Sequence, residues 1–205
     1  MTGAMLKGDR TRKRIIAKAA VLFNRKGFGG CSMHDISAVT GLEKGSLYSH
    51  FGTKEELAAE AFDYAWSKAS GARVGNLGDV SNSVDKLKLH IENMASKRSF
   101  SGGCPMLNTA LDSDDGNPAL RRRAESALRS WVGLLAGVIR EGQSKKEIRP
   151  SVDPEALAIL IISLLEGASA SARLQRSSMA MTVASQHLKE YLESHVRLAA
   201  GDNES

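Results

Sequence analysis

The sequence predicts an all-α protein, with three short helices at its N-terminus and a bundle of longer helices after them. Three observations predict this. Apolar residues recur at spacings of three and four along nearly the whole chain. The apolar–polar alternation of a strand is almost absent. Ser, Thr, Asn or Asp before the apolar stripes, and Gly after them, divide the chain into segments of helical length.

The first helix is expected over about Asp9–Lys26. Ile15, Ala19 and Leu22 form one stripe and Ile16, Ala20 and Phe23 its neighbour. Gly27 follows Arg25-Lys26, a usual helix stop. Ser32 caps a second helix with Asp35 in the reciprocal position. Met33, Ile36 and Val39 are its expected inner face, and Gly41 ends it. A third short helix carries Leu47, Tyr48 and Phe51, with Gly52 as its stop. Thr53 and Glu56 make a capping box for a fourth, whose stripe is Leu57, Ala61 and Ala65.

The Gly-rich stretch Gly71–Gly78 is the expected seam between regions. Ahead of it, the three N-terminal helices are assigned to a domain over residues 1–53, and the remainder to a larger one over 54–205. Val84, Leu87, Ile91 and Met94 mark a fifth helix. A short one is expected from Cys104 to Leu111, after the break Ser101-Gly102-Gly103. Asn117-Pro118 opens a long helix with Leu120, Ala124, Leu128, Trp131, Leu135 and Ile139, ended by Gly142. Asp153-Pro154 opens another, toward Arg173. The last runs from Met181 to Leu198 with Ala184, Leu188, Tyr191 and Leu192 inward, and the tail 201–205 is expected to fray.

Charge narrows the function. The 205 residues carry a net charge of +5, but residues 1–54 hold ten Lys and Arg against three acids. That segment is +7 and the rest −2. Cationic charge gathered on one small segment is the footprint of a nucleic-acid binder. Two cysteines make no disulfide framework. No signal peptide is expected at Met1 onward, where charges start at Lys7, and the apolar run Ala156–Leu165 is short against the roughly 20 residues that span a membrane. The expected location is the cytoplasm, with no membrane partner.

Met33–Thr40 and Lys44–Phe51, joined at Gly41-Leu42-Glu43, have the length and Gly placement of a helix-turn-helix. The second helix would show Lys44, Gly45, Ser46, Tyr48, Ser49 and His50 outward and keep Leu47 and Phe51 inside. Arg10 to Leu57 resembles the DNA-binding domain of the TetR (tetracycline repressor) family. The resemblance rests on Arg10-Thr11-Arg12, Ala19-Ala20-Val21-Leu22-Phe23, Gly27-Phe28, Ser32-Met33-His34-Asp35-Ile36, Gly41 through Phe51, and Thr53-Lys54-Glu55-Glu56-Leu57. It implies about nine helices, a homodimer, a palindromic double-stranded DNA operator, and a small-molecule inducer that releases a repressor. Carried onto this chain, it implies phosphate contacts at Arg10, Arg12 and Ser32. Base edges would fall to Lys44, Gly45, Ser46 and Ser49, and the DNA backbone to Tyr48, His50 and Lys54. Glu43 departs from the family's usual small hydroxyl, caps less well and repels phosphate.

Gly102–Leu111 resembles a motif in a branch of the family that includes electrophile-responsive repressors. Cys104 opens a helix there, a position that favours thiolate. Trp66, Met94, Cys104, Met106 and Trp131 are the candidate ligand contacts, with ordinary core as the alternative. The last two long helices are the candidate subunit interface, because Gly167–Ala172 is small enough for close helix approach. No metal, cofactor or catalytic constellation is expected: His187 and His195 are two helical turns apart, and phosphate or nucleophile motifs are missing. A nonspecific DNA-coating protein, a helical enzyme and a membrane-surface protein remain as alternatives.

Overall fold

The computed structural model describes residues 7–96, 100–113 and 116–199. The tail expected to fray, residues 201–205, lies outside them. The helices are α1 (Lys7–Lys26), α2 (Met33–Thr40), α3 (Lys44–His50), α4 (Lys54–Val74), α5 (Ser83–Ser96), α6 (Pro105–Asp112), α7 (Pro118–Ser144), α8 (Pro154–Gln175) and α9 (Met179–Tyr191). A 3-10 turn covers Leu77–Asp79, and a π-helical turn Leu192–Val196 extends α9. Among the described residues there is no strand; Ile148 and Arg197 form an isolated antiparallel bridge.

Local chemistry sets most helix ends. The Ser32 hydroxyl accepts the Asp35 N–H at 3.2 Å, and the Asp35 carboxylate accepts the Ser32 N–H at 2.9 Å, a full capping box. Gly41 adopts the left-handed conformation (φ 71°) that closes α2. Thr53 caps α4 through the Glu56 N–H (3.0 Å), but Glu56 reaches back to the Gly52 N–H (2.8 Å) rather than to Thr53 itself. Asn117 and Asp153 cap α7 and α8 through the N–H groups of Leu120 and Ala156.

Two glycines play other parts than expected. Gly71 lies inside α4, so the helix runs into the expected seam and ends within it, at Val74. Gly142 lies inside α7, where a Cβ would stand 2.6 Å from Ile148 Cδ1 and 2.7 Å from Ser83 Cβ. It is there for close packing, not termination. On α2, Val39 is exposed and Thr40 is buried in its place, its hydroxyl donating to the Ile36 carbonyl at 2.7 Å. Position 40 lies four residues after Ile36, on the same face, and the back-bond satisfies its hydroxyl. Leu128 on α7 is likewise exposed, with Ala127 inside.

The chain forms two compact units. The first gathers residues up to 69 with residues 100–127; the second gathers 70–99 with 128–205. The expected division after residue 53 differs from this. Leu57, Ala61 and Ala65 of α4 belong to the same core as Ile15, Ala19, Ala20, Met33, Ile36, Leu47 and Phe51. Helix α1 and two helices of only two turns cannot bury their apolar faces alone, so the N-terminal turns of α4 complete the core.

In the second unit α9 packs on α8 and α5. Leu87, Ile91, Leu135, Ile139, Ile161, Leu165, Leu188 and Leu192 are buried. Helix α8 has 22 residues and, by length and composition, would suffice to cross a membrane. It is longer than the apolar run marked in the sequence. Leu157, Ala158, Ile161, Ile162 and Leu165 are nevertheless buried in this unit, with Glu166 beside them.

Candidate nucleic-acid interface

Helix α3 has seven residues, two turns. Its stability must come from packing, since so short a helix is marginal alone. Leu47 and Phe51 supply this: both are buried in the first unit's core. Each contributes roughly 1.5–3 kcal/mol of burial. With these two inside, the helix period turns Lys44, Gly45, Tyr48 and Ser49 outward. Tyr48 is 49% exposed, unusual for so large a ring. Ser46 and His50 are half-buried at the edges of this face. A Cβ at Gly45 would meet nothing within 4 Å, so the backbone there is bare. As expected, Glu43 makes no side-chain cap to α3.

Around this face the remaining candidates take distinct positions. Arg10 and Ser32 are exposed, Ser32 at the start of α2. Lys54 is half-buried, with its ammonium 4.0 Å above the Phe28 ring. Arg12 differs from its neighbours. Nη1 donates to the His50 carbonyl at 2.6 Å, the guanidinium lies 4.1 Å from the Phe51 ring centroid, and Nη2 reaches the Glu60 carboxylate. The sequence carries a signal for this: Arg12 precedes Ile15, Ile16 and Ala19 by three, four and seven residues, on their inward stripe.

Sequence reasoning passed over two lysines on α1. Lys18 donates to the Val39 carbonyl (2.5 Å), near the C-terminus of α2. Lys26 pairs with Asp35 at 2.8 Å. Hydrogen bonds from Lys26 and then Ser32 hold the Asp35 carboxyl far below the usual carboxylate range, so it stays ionised. These contacts join residues 21 and 9 positions apart, beyond any helical period.

The C-terminal part of the first unit braces α1. Asn108 on α6 donates to the Asn24 carbonyl (3.0 Å) and side-chain oxygen (3.1 Å). The Asp112 carboxylate accepts the Phe28 N–H at 2.6 Å. Gly27 (φ 76°) has the Asp112 carboxylate against the place a Cβ would take. The brace satisfies backbone groups that α1 leaves open at its end.

The five candidate ligand contacts divide between the units: Trp66, Cys104 and Met106 belong to the first, Met94 and Trp131 to the second. Helical spacing selects apolar positions and does not separate core from pocket, which is why they were grouped. Cys104 is only 4% exposed. The expectation of a reactive thiolate needs access as well as a helix start, and burial removes the access. Burial also pushes the Cys31 thiol up, with Asp35 adding to the shift. Trp131 is part of a buried polar cluster: its indole N–H donates to His90 Nε2 (3.2 Å), and the Arg73 guanidinium lies 4.3 Å over its ring. Arg73 pairs with Glu166 at 3.3 Å, with side chains 3% and 7% exposed. Among the described residues no group of acids, histidines and cysteines has the arrangement of a metal site.

Comparison with known proteins agrees with this geometry. Residues 15–61 match the family described as bacterial regulatory proteins, tetR family, and residues 84–188 match the tetracyclin repressor-like C-terminal domain. A TetR transcriptional regulator from Chloroflexus aurantiacus is 41% identical in a structural superposition with TM-score 0.91, covering 95% of this chain and 100% of that one. The HTH-type transcriptional regulator YxaF of Bacillus subtilis is 30% identical over 78% of this chain and 83% of its own length. The HTH-type transcriptional repressor DhaR of a Mycobacterium species is 26% identical over 81% and 84%. The matched segments hold both the short helices around α3 and the bundle of α5 to α9. The chain belongs to the TetR family of DNA-binding transcriptional regulators.

Proposed function

We propose that this regulator is a homodimeric, cytoplasmic repressor that α3 docks into the major groove of a palindromic operator. The observation that carries this reading is the sidedness of α3. Leu47 and Phe51 anchor it, while Lys44, Gly45, Tyr48 and Ser49 are exposed together. On this reading Lys44, Gly45, Ser46 and Ser49 meet base edges. Arg10, Ser32, Tyr48, His50 and Lys54 hold the DNA backbone, fixing register. The name of DhaR supports repression as the mode of action.

The dimer is supported by the outer face of α8 and α9. Ile159, Leu160, Leu174, Met179 and Val183 are exposed there, Leu174 at 88%. A groove lined by Gly167, Ala168, Ser171, Ala180 and Ala184 runs beside them. Small residues permit close approach of a second copy, and exposed apolar side chains gain by it. Two-fold symmetry then sets two recognition helices about 34–36 Å apart, one turn of DNA. An inducer acts through the second unit, where Trp131 and Met94 lie, and no chemical step on the ligand is needed for release.

Sheared genomic DNA from the source organism, offered to the protein at physiological salt with excess competitor, tests this reading. Retained fragments sharing a short inverted repeat are the expected result. Retention without a shared sequence would make the protein a nonspecific DNA coat. No retention even at low salt would end the groove-docking reading and reopen enzymatic or membrane roles.

A further inference from the structure

We propose that Arg12 is a positioning residue for the recognition helix, holding α3 against α1 and α4, and is not a phosphate contact. The inference rests on the reading of α3 as the DNA-reading helix. It also yields a DNA-independent expectation.

The Arg12 side chain is 32% exposed, whereas Arg10, Lys13 and Arg14 on the same helix are exposed. Its guanidinium is used on three sides. Nη1 donates to the carbonyl of His50, the last residue of α3. One ring face of Phe51, the next residue, lies 4.1 Å away. Nη2 turns to Glu60, with Glu56 at 3.5 Å, on the first turns of α4. Glu56 in turn accepts the Gly52 N–H, so the link between α3 and α4 is bound from both sides.

The final carbonyls of any helix lack partners within it. In a helix of two turns they are a large share of the whole, and a cation near that end also meets the favourable pole of the helix dipole. Arg12 supplies the donor and the charge together. Its planar fork bonds a carbonyl and a carboxylate while stacking on a ring, which the single ammonium of Lys cannot reproduce. A phosphate contact, by contrast, needs chiefly a positive charge, and Lys supplies that. The two roles therefore part on a substitution that keeps the charge.

The test uses the intact protein with Arg12→Lys, Arg12→Gln and Glu60→Gln. Hydrogen exchange is followed over residues 44–51 without DNA. Affinity is measured across salt for the selected operator and for bulk competitor. The expected result is that Arg12→Lys speeds exchange in 44–51 about tenfold and cuts the ratio of specific to nonspecific affinity about tenfold. The slope of log affinity against log salt should stay that of the wild type. Glu60→Gln is expected to lower the same ratio, although removing an acid near DNA strengthens electrostatic attraction. The proposal is overturned if Arg12→Lys behaves as wild type while Arg12→Gln weakens every sequence alike and lowers the salt slope by about one, as loss of a phosphate contact does. It is equally overturned if exchange in 44–51 is unchanged in both Arg12 variants. Should the wild type select no operator, the DNA-reading role of α3 fails by itself, and the exchange measurement alone decides whether Arg12 holds the helix.

Discussion

The two compact units use charge in opposite ways. In the first, most cations are at the surface, and two half-exposed ones, Arg12 and Lys54, lie over the rings of Phe51 and Phe28. In the second, Arg73, His90, Asn93 and Glu166 are buried together around Trp131. A surface cation costs little to keep and is available to a polyanion. A buried one costs several kcal/mol to desolvate and must find its partner inside. Substitutions in the first unit should therefore show in DNA affinity, and those in the second unit's polar cluster in stability.

The largest test of this contrast is Glu166→Ala. It leaves the Arg73 guanidinium buried without its carboxylate, and the protein should lose about 3–5 kcal/mol in urea unfolding. The double variant Arg73→Met with Glu166→Leu should recover much of that, because it removes both desolvated charges. A single variant as stable as wild type would break the comparison.

His90 gives a test that depends on pH. Burial, and then the charge of Arg73, lower its pKa from 6.5 to about 4. A histidine so depressed is neutral in the fold and takes up a proton more readily when unfolded. Its contribution is intact above pH 6.5 and is lost as pH falls from 6.5 toward 4, by up to about 3 kcal/mol. The unfolding free energy of wild type minus that of His90→Gln should fall across this window. A flat difference would mean that the imidazole is hydrated.

Tyr48→Ala sharpens the other side. The ring is half exposed, so stability should change by no more than about 0.5 kcal/mol. Operator affinity should fall roughly tenfold, the usual scale for one lost contact. A loss of unfolding free energy larger than the loss of binding free energy would place Tyr48 with the core.

Much of the candidate interface was legible in the sequence. Leu47 and Phe51 are four apart, and their burial turns Lys44, Tyr48 and Ser49 outward by the helical period alone. Ser32, Asp35 and Gly41 announce the ends of α2 in the residues that form its caps. The role of Arg12 was half legible: its place on the inward stripe is readable, but its partners His50 and Glu60 are 38 and 48 residues away. The sequence did not decide whether Trp66, Met94, Cys104, Met106 and Trp131 line a pocket, because apolar side chains at helical spacing have the same pattern in a core and in a pocket.

What the sequence by itself determined is the set of helices, most of their caps, the placement of cationic charge and the outward face of α3. Each of these depends on interactions within about four residues, or on composition. Tertiary structure alone decided that α4 completes the core of the short helices and that Gly142 is a packing site against Ile148 and Ser83. It also decided that Asn108 and Asp112 brace the end of α1, and that Arg73 meets Glu166 in the interior. Those pairings join residues far apart in the chain. No local period records them, and only the shared burial of distant apolar faces brings their polar groups within reach.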